Sequence, residues 1–167
     1  AAKRPGVVGI DLAGGPAPAH AFRLRDYAVA FCRAADLGLG RTVHAGEGRP
    51  PEEIRIAIEG LLAQRIGHGT TLLDDEATVD LVSTRGVVIE ACPTSNVHTG
   101  VIARVEDHPL PRWLDAGVRA CVCADNTLLS ATNAREELAR VAAIPGMDEK
   151  KIAAVIANGH AGAFRRA

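Results

Sequence analysis

Short apolar runs alternate with longer amphipathic ones along the whole chain. Residues 6–13 (Gly-Val-Val-Gly-Ile-Asp-Leu-Ala) read as a strand buried on both faces, closed by Gly14-Gly15-Pro16. Leu24, Tyr27, Ala28 and Phe31 then recur at helical spacing until Gly38 and Gly40 stop the helix. A short strand follows at 41–44, and Pro50-Pro51-Glu52-Glu53 opens a helix with the apolar stripe Ile54, Ile58, Leu61 and Leu62. The next pair is a strand at 65–68 and a helix at 75–85, with Leu81 and Val82 inward. Residues 87–91 form another buried strand that ends in the turn Cys92-Pro93-Thr94-Ser95-Asn96. A helical stretch near 109–116 leads to a last strand at 118–124. Helices at about 134–143 (Leu138 and Val141 inward) and 148–157 (Ile152, Val155 and Ile156 inward) finish the chain. The unit is strand–helix, so the sheet is expected to be parallel, either a doubly wound sheet or part of a (β/α)8 barrel. Residues 1–167 read as a single domain, with no linker or internal boundary.

Composition narrows the class. The 167 residues are 47% hydrophobic, which suits a packed domain and not a disordered chain. Lys and Arg number 19 against 20 Asp and Glu, so there is no general attraction to nucleic acid or to an anionic membrane. No apolar run approaches the roughly 20 residues of a membrane span, and residues 1–6 do not read as a signal peptide. The four cysteines (Cys32, Cys92, Cys121, Cys123) lack the density and spacing of a disulfide framework. Cys121 and Cys123 share one strand face and read as small buried side chains. A reducing, cytoplasmic compartment is expected.

The strand ends carry the candidate chemistry. Each apolar run stops at a polar or ionisable group: Asp11, His44 with Glu47, His68, the Thr94-Ser95-Asn96 turn, and Asp125 with Asn126. In a parallel sheet these ends share one edge, where barrel enzymes build their sites. Two histidines, a glutamate and two aspartates on one rim form the inventory of a metal hydrolase. Taken singly, each has an ordinary structural explanation: a satisfied histidine, an aspartate capping a helix, a solvated loop glutamate. Five such coincidences on one edge favour a site. No Gly-rich phosphate loop follows any strand. His20, His98, His108 and His160 fall in loops or the terminal helix and are assigned no role. Glu90 lies mid-strand as a hydrogen-bonding residue whose role is open.

Gly-Ile-Asp-Leu-Ala-Gly (9–14), Thr-Val-His-Ala-Gly-Glu (42–47), Arg-Ile-Gly-His-Gly (65–69), Glu-Ala-Cys-Pro-Thr-Ser-Asn (90–96) and Ala-Asp-Asn (124–126) together resemble the adenosine deaminases, in order and spacing. The resemblance covers nearly the whole chain. It implies the C-terminal portion, about five β/α units, of a (β/α)8 TIM-type barrel of the metal-dependent amidohydrolase kind. The other zinc deaminase class, marked by H-x-E and P-C-x-x-C, is not matched. By motif, the resemblance implies one zinc per complete site with His44 and Asp125 as ligands, and Glu47 as the acid that protonates the purine ring. It also implies that His68 orients and deprotonates the attacking water, and that Gly14 hydrogen-bonds the purine edge.

There are departures from the family pattern. Asn126 stands where a second aspartate is usual, and its amide can donate to the purine without a shifted pKa. The loop after Gly14 lacks the usual acidic residues. The His-x-His that opens the family and supplies the other two zinc ligands does not occur. Five strands cannot close a barrel and would leave two unpaired edges and an uncovered apolar inner face. An N-terminal half, as a second polypeptide or an N-terminal segment, is therefore an expected partner. The expected function is hydrolytic deamination of adenosine or a related 6-aminopurine nucleoside. Its alternatives are a non-catalytic subunit of a deaminase-like complex, or an amidohydrolase acting on adenine or a modified nucleoside.

Overall fold

The computed structural model describes residues 4–14 and 22–165. Among them five strands, β1 (Gly9–Leu12), β2 (Gly40–Ala45), β3 (Arg65–His68), β4 (Val88–Ala91) and β5 (Arg119–Val122), form one sheet. All are parallel, and the order in the sheet is the order in the sequence. The connections carry α1 (Ala28–Asp36), α2 (Glu52–Gly60), α3 (Glu76–Arg85), α4 (Pro93–His98) and α5 (Leu110–Asp115). Two further helices, α6 (Ala134–Ala142) and α7 (Glu149–Gly162), follow β5. Sequential parallel strands joined by helices are the repeating arc of a β/α barrel. No described strand pairs with the outer edge of β1 or β5.

One sheet face is covered by helices. Val43, Ile66, Ile89 and Ala120, aligned across four strands, are fully buried together with Ile54, Leu61, Leu72 and Trp113. Helix ends are set by local chemistry. Asp75 caps α3 by accepting from the Thr78 amide at 3.1 Å, and Gly86 closes it at φ 62°. Asn133 caps α6, and Asp148 caps α7 through the Lys151 amide at 2.7 Å.

The opposite face is polar at its centre, contrary to the apolar inner face expected. Thr42 Oγ1 donates to Glu90 Oε2 at 2.8 Å, and Arg65 Nε lies 3.0 Å from Glu90 Oε1. Glu90 thus ties β2, β3 and β4 together from the inside. The end of α7 crosses this face. A side chain at Gly159 would touch Cys121, and one at Gly162 would touch Val88. The Phe164 ring sits so closely over Gly40 that a Cβ there would collide with it, and the Arg65 guanidinium stacks 3.8 Å from the ring centroid. Glycine at position 40 makes room for this plug.

Several element readings need correction. The Thr94-Ser95-Asn96 turn is part of α4, because Pro93 occupies its first turn with φ already suited to a helix. Leu62 leaves the stripe of α2: the helix ends at Gly60, Leu61 fills the buried slot, and Leu62 turns out at φ 56°. Ile156 is exposed, since α7 buries only the narrower Ile152–Val155 side. That helix runs on to Gly162, and the strands expected at 6–13 and 118–124 shorten to Gly9–Leu12 and Arg119–Val122. Cys121 is buried and Cys123 half-buried, with Sγ atoms 3.8 Å apart and no disulfide.

Candidate active site

The C-terminal strand ends bring Asp11, His44, Glu47, His68, Ser95, Asn96 and Asp125 to one edge of the sheet. His44 lies in β2, and its Nδ1 sits 3.2 Å from Asp11 Oδ1 at the end of β1. The Asp11 contact pushes the His44 pKa above its ordinary value, partial burial opposing it. A Cβ at Gly67, the residue aligned with His44 on β3, would come within 3.1 Å of the imidazole, so glycine there clears the ring's place.

His68 breaks the alternation of its strand. Side chains point to opposite faces with period two, so His68 should join Ile66 on the helix-covered side. Its φ is instead +68°, an uncommon conformation outside glycine, and its ring lies 4.9 Å from that of His44. His68 is buried at 2% exposure, and that burial holds its pKa below the ordinary histidine value. Asp125, after β5, also has a positive φ, +53°, and its Oδ2 accepts from Ser95 Oγ at 2.6 Å.

Glu47 follows β2 in a short loop. Its Oε1 accepts from Asn96 Nδ2 at 3.1 Å and from Thr99 Oγ1 at 3.0 Å, and lies 3.6 Å from His68 Nδ1. Asn126 Oδ1 accepts from the Leu128 and Leu129 amides at 3.1 and 3.0 Å, so its amide nitrogen is the end left for another partner. Gly14, at φ 92°, is exposed just beyond β1, and a Cβ there would meet nothing within 4 Å.

Sequence reasoning named Asp11 and the Thr94-Ser95-Asn96 segment without giving them partners. It missed Thr99 and the support behind α4. There the fully buried Glu137 of α6 accepts from the Thr94 amide at 2.7 Å and from Thr94 Oγ1 at 2.6 Å, while Arg140 Nη1 donates to Thr94 Oγ1 at 2.8 Å. An acid and an arginine three residues apart look like an exposed helix pair in sequence. Nothing in that spacing reveals that Glu137 is buried.

The donor set suits part of a metal site. With Nδ1 of His44 held by a carboxylate, the ring is oriented as ligating histidines are, with Nε2 left to bind. Asp125 offers its second oxygen. No group of three or more metal-ligating side chains converges among the described residues, so these two are a partial set.

A parallel β/α arc with a histidine–carboxylate rim at its C-terminal ends is the architecture of a segment of a (β/α)8 barrel. A family model for adenosine deaminase matches residues 1–167, and the chain belongs to that family. It is similar to an adenosine deaminase from Erwinia tasmaniensis, 36% identical over 158 residues that cover 95% of this chain and 47% of the relative. The solved adenine deaminase from Arthrobacter aurescens superposes with TM-score 0.85 at 27% identity, covering 95% of this chain and 48% of that one. An amidohydrolase from Burkholderia ambifaria with bound Zn shares the fold, with TM-score 0.86 at 21% identity and coverage of 98% and 45%. The chain spans about half the length of the curated relatives it matches. No helix among the described residues is long and apolar enough to cross a membrane.

Proposed function

We propose that the complete protein hydrolyses the exocyclic amine of adenosine or a related 6-aminopurine, releasing ammonia. The carrying observation is the convergence of His44, Glu47, His68 and Asp125 on one edge, with Glu47 and Asp125 each held by hydrogen bonds from α4 or the residue after it.

His44 and Asp125 would hold a zinc ion together with donors from the rest of the barrel. When bound, zinc would lower the pKa of a water to about 7 and make hydroxide available at neutral pH. The chain's own residues then divide the work. Glu47 presents a carboxyl to the purine and protonates the ring nitrogen beside the carbon under attack, which that carbon needs in order to accept a nucleophile. His68 orients the attacking water, and Asp125 passes the water's proton to the departing ammonia. Asn126 donates to the far side of the purine, and Gly14 binds its edge without a side chain in the way.

The open outer edges of β1 and β5 support the remaining part of the reading: a second polypeptide or an N-terminal segment closes the barrel and brings His-x-His. A second substrate, adenine itself, is favoured by the likeness to the A. aurescens adenine deaminase. The test is to assay the intact, zinc-loaded protein for conversion of adenosine and of adenine by the loss of aminopurine absorbance, with zinc content measured in parallel. His44→Ala should lose the metal together with the activity. An intact, metal-loaded protein inert toward every 6-aminopurine would overturn the reading.

A further inference from the structure

We infer that Asn96 is a positioning residue that fixes the tautomer of His68 and the placement of Glu47 with a single amide group. The inference rests on the roles proposed above for those two side chains.

Asn96 is completely buried. Its NH2 group carries two protons, and two acceptors stand at the same distance from it: Glu47 Oε1 at 3.1 Å and His68 Nδ1 at 3.1 Å. One proton goes to each. Its carbonyl oxygen, equally buried, has no partner. An unpaired buried acceptor costs free energy, so this orientation persists only because the reverse one is worse. Turning the amide over would set Oδ1 against the Glu47 carboxylate oxygen.

The consequence for His68 follows from proton counting. Its Nδ1 accepts from Asn96, so it carries no proton. A protonated Nδ1 would find only Glu47 Oε1, at 3.6 Å, too far for a hydrogen bond. Neutral His68 therefore has its proton on Nε2 and offers the site a donor. It steadies the attacking oxygen and does not take a proton from it. That narrows the role implied by the family resemblance, in which His68 also deprotonates the water. The same amide holds the Glu47 carboxyl, with Thr99 as its second support, so the acid and the donor keep a constant separation.

The experiment is 15N NMR of the intact protein labelled at histidine, with the ring nitrogens of His68 assigned by the loss of their signals in His68→Gln. Neutral His68 should show an unprotonated Nδ1 and a protonated Nε2. Asn96→Asp, which puts an acceptor where the donor was, should move the proton to Nδ1. Asn96→Ala should lower kcat by about 10–100-fold, as loss of an orienting partner does, with KM changed by less than threefold. A protonated Nδ1 in the unsubstituted protein would mean that the amide is reversed and would overturn the inference. So would an unchanged tautomer in Asn96→Asp. The tautomer is read without substrate, so failure of the deaminase reading would show as an inert protein whose His68 still carries its proton on Nε2.

Discussion

Among the described residues, the hydrogen bonds to Glu47 fall on one oxygen, Oε1, from Asn96 and Thr99. The other oxygen is left for a substrate nitrogen, the geometry a proton donor needs. Glu47→Gln keeps the shape and an amide that can still meet Thr99, but cannot give up a proton to the ring. Its kcat should fall by about 10²–10⁴-fold, the usual worth of a general acid, with zinc content unchanged. Comparing kcat and metal stoichiometry in the two proteins checks this, and a near-normal rate would remove Glu47 from the role. Asn126 works differently. Its oxygen is occupied by two backbone amides of its own loop, which aims the nitrogen outward. Asn126→Ala loses both the loop cap and the donor, so binding and turnover together should weaken by about 1–3 kcal/mol, with zinc retained. Loss of zinc in that variant would show that position 126, and not 125 alone, belongs to the metal site.

At the scale of elements, α4 is the piece on which the site depends. Six residues long, it carries Ser95 to Asp125 and Asn96 to Glu47 and His68. So short a helix has little stability of its own. Its anchor is Glu137 of α6, fully buried, whose carboxylate takes the Thr94 amide and hydroxyl while Arg140 and Thr132 approach from the side. Glu137→Ala would leave the Thr94 amide unpaired and Arg140 without its nearest carboxylate. Arg140 is part-exposed and can turn to water, so the cost is that of the unpaired buried amide, about 1–3 kcal/mol, and denaturant unfolding should register a loss of that order. A loss below about 1 kcal/mol would mean that α4 is held by its packing alone.

For the molecule as a whole, His108 makes stability depend on pH. It is 3% exposed, accepts from the Leu110 amide at 3.1 Å through Nδ1, and meets Trp113 at 5.1 Å with the rings nearly perpendicular. Burial lowers its pKa to about 3. The unfolded chain, with histidine near 6.5, binds the proton more readily than the folded one throughout the interval between. Stability is therefore complete above about pH 6.5 and is lost as the pH falls toward 3, by about 1.4 kcal/mol per unit from this group. Denaturant midpoints measured across that interval should follow the slope. His108→Asn keeps an acceptor for the Leu110 amide and should remove this group's share of it. An unchanged slope in His108→Asn would place the proton uptake elsewhere.

The succession of elements was legible in the chain because period two and period 3.6 distinguish strand from helix over short windows. Polar residues at the strand ends marked the site for the same reason: a parallel sheet gathers all those ends on one edge. His44, Glu47, His68 and Asp125 could thus be picked out before any contact was known, and the family motifs ordered them. What the linear pattern could not carry was anything that breaks a period or joins distant segments. Alternation alone puts His68 on the wrong face, and only its left-handed backbone brings its ring beside His44. The segment after Cys92, where Pro93 opens a helix, is held in place by Glu137, 43 residues away from Thr94. Glu90, mid-strand and of open role in the sequence, became the link between Thr42 and Arg65 only when three strands stood side by side. Local spacing decides which residues can share a face or an edge. Which of them meet is decided by long-range packing, because burial, backbone strain and hydrogen-bond partners are properties of the folded whole.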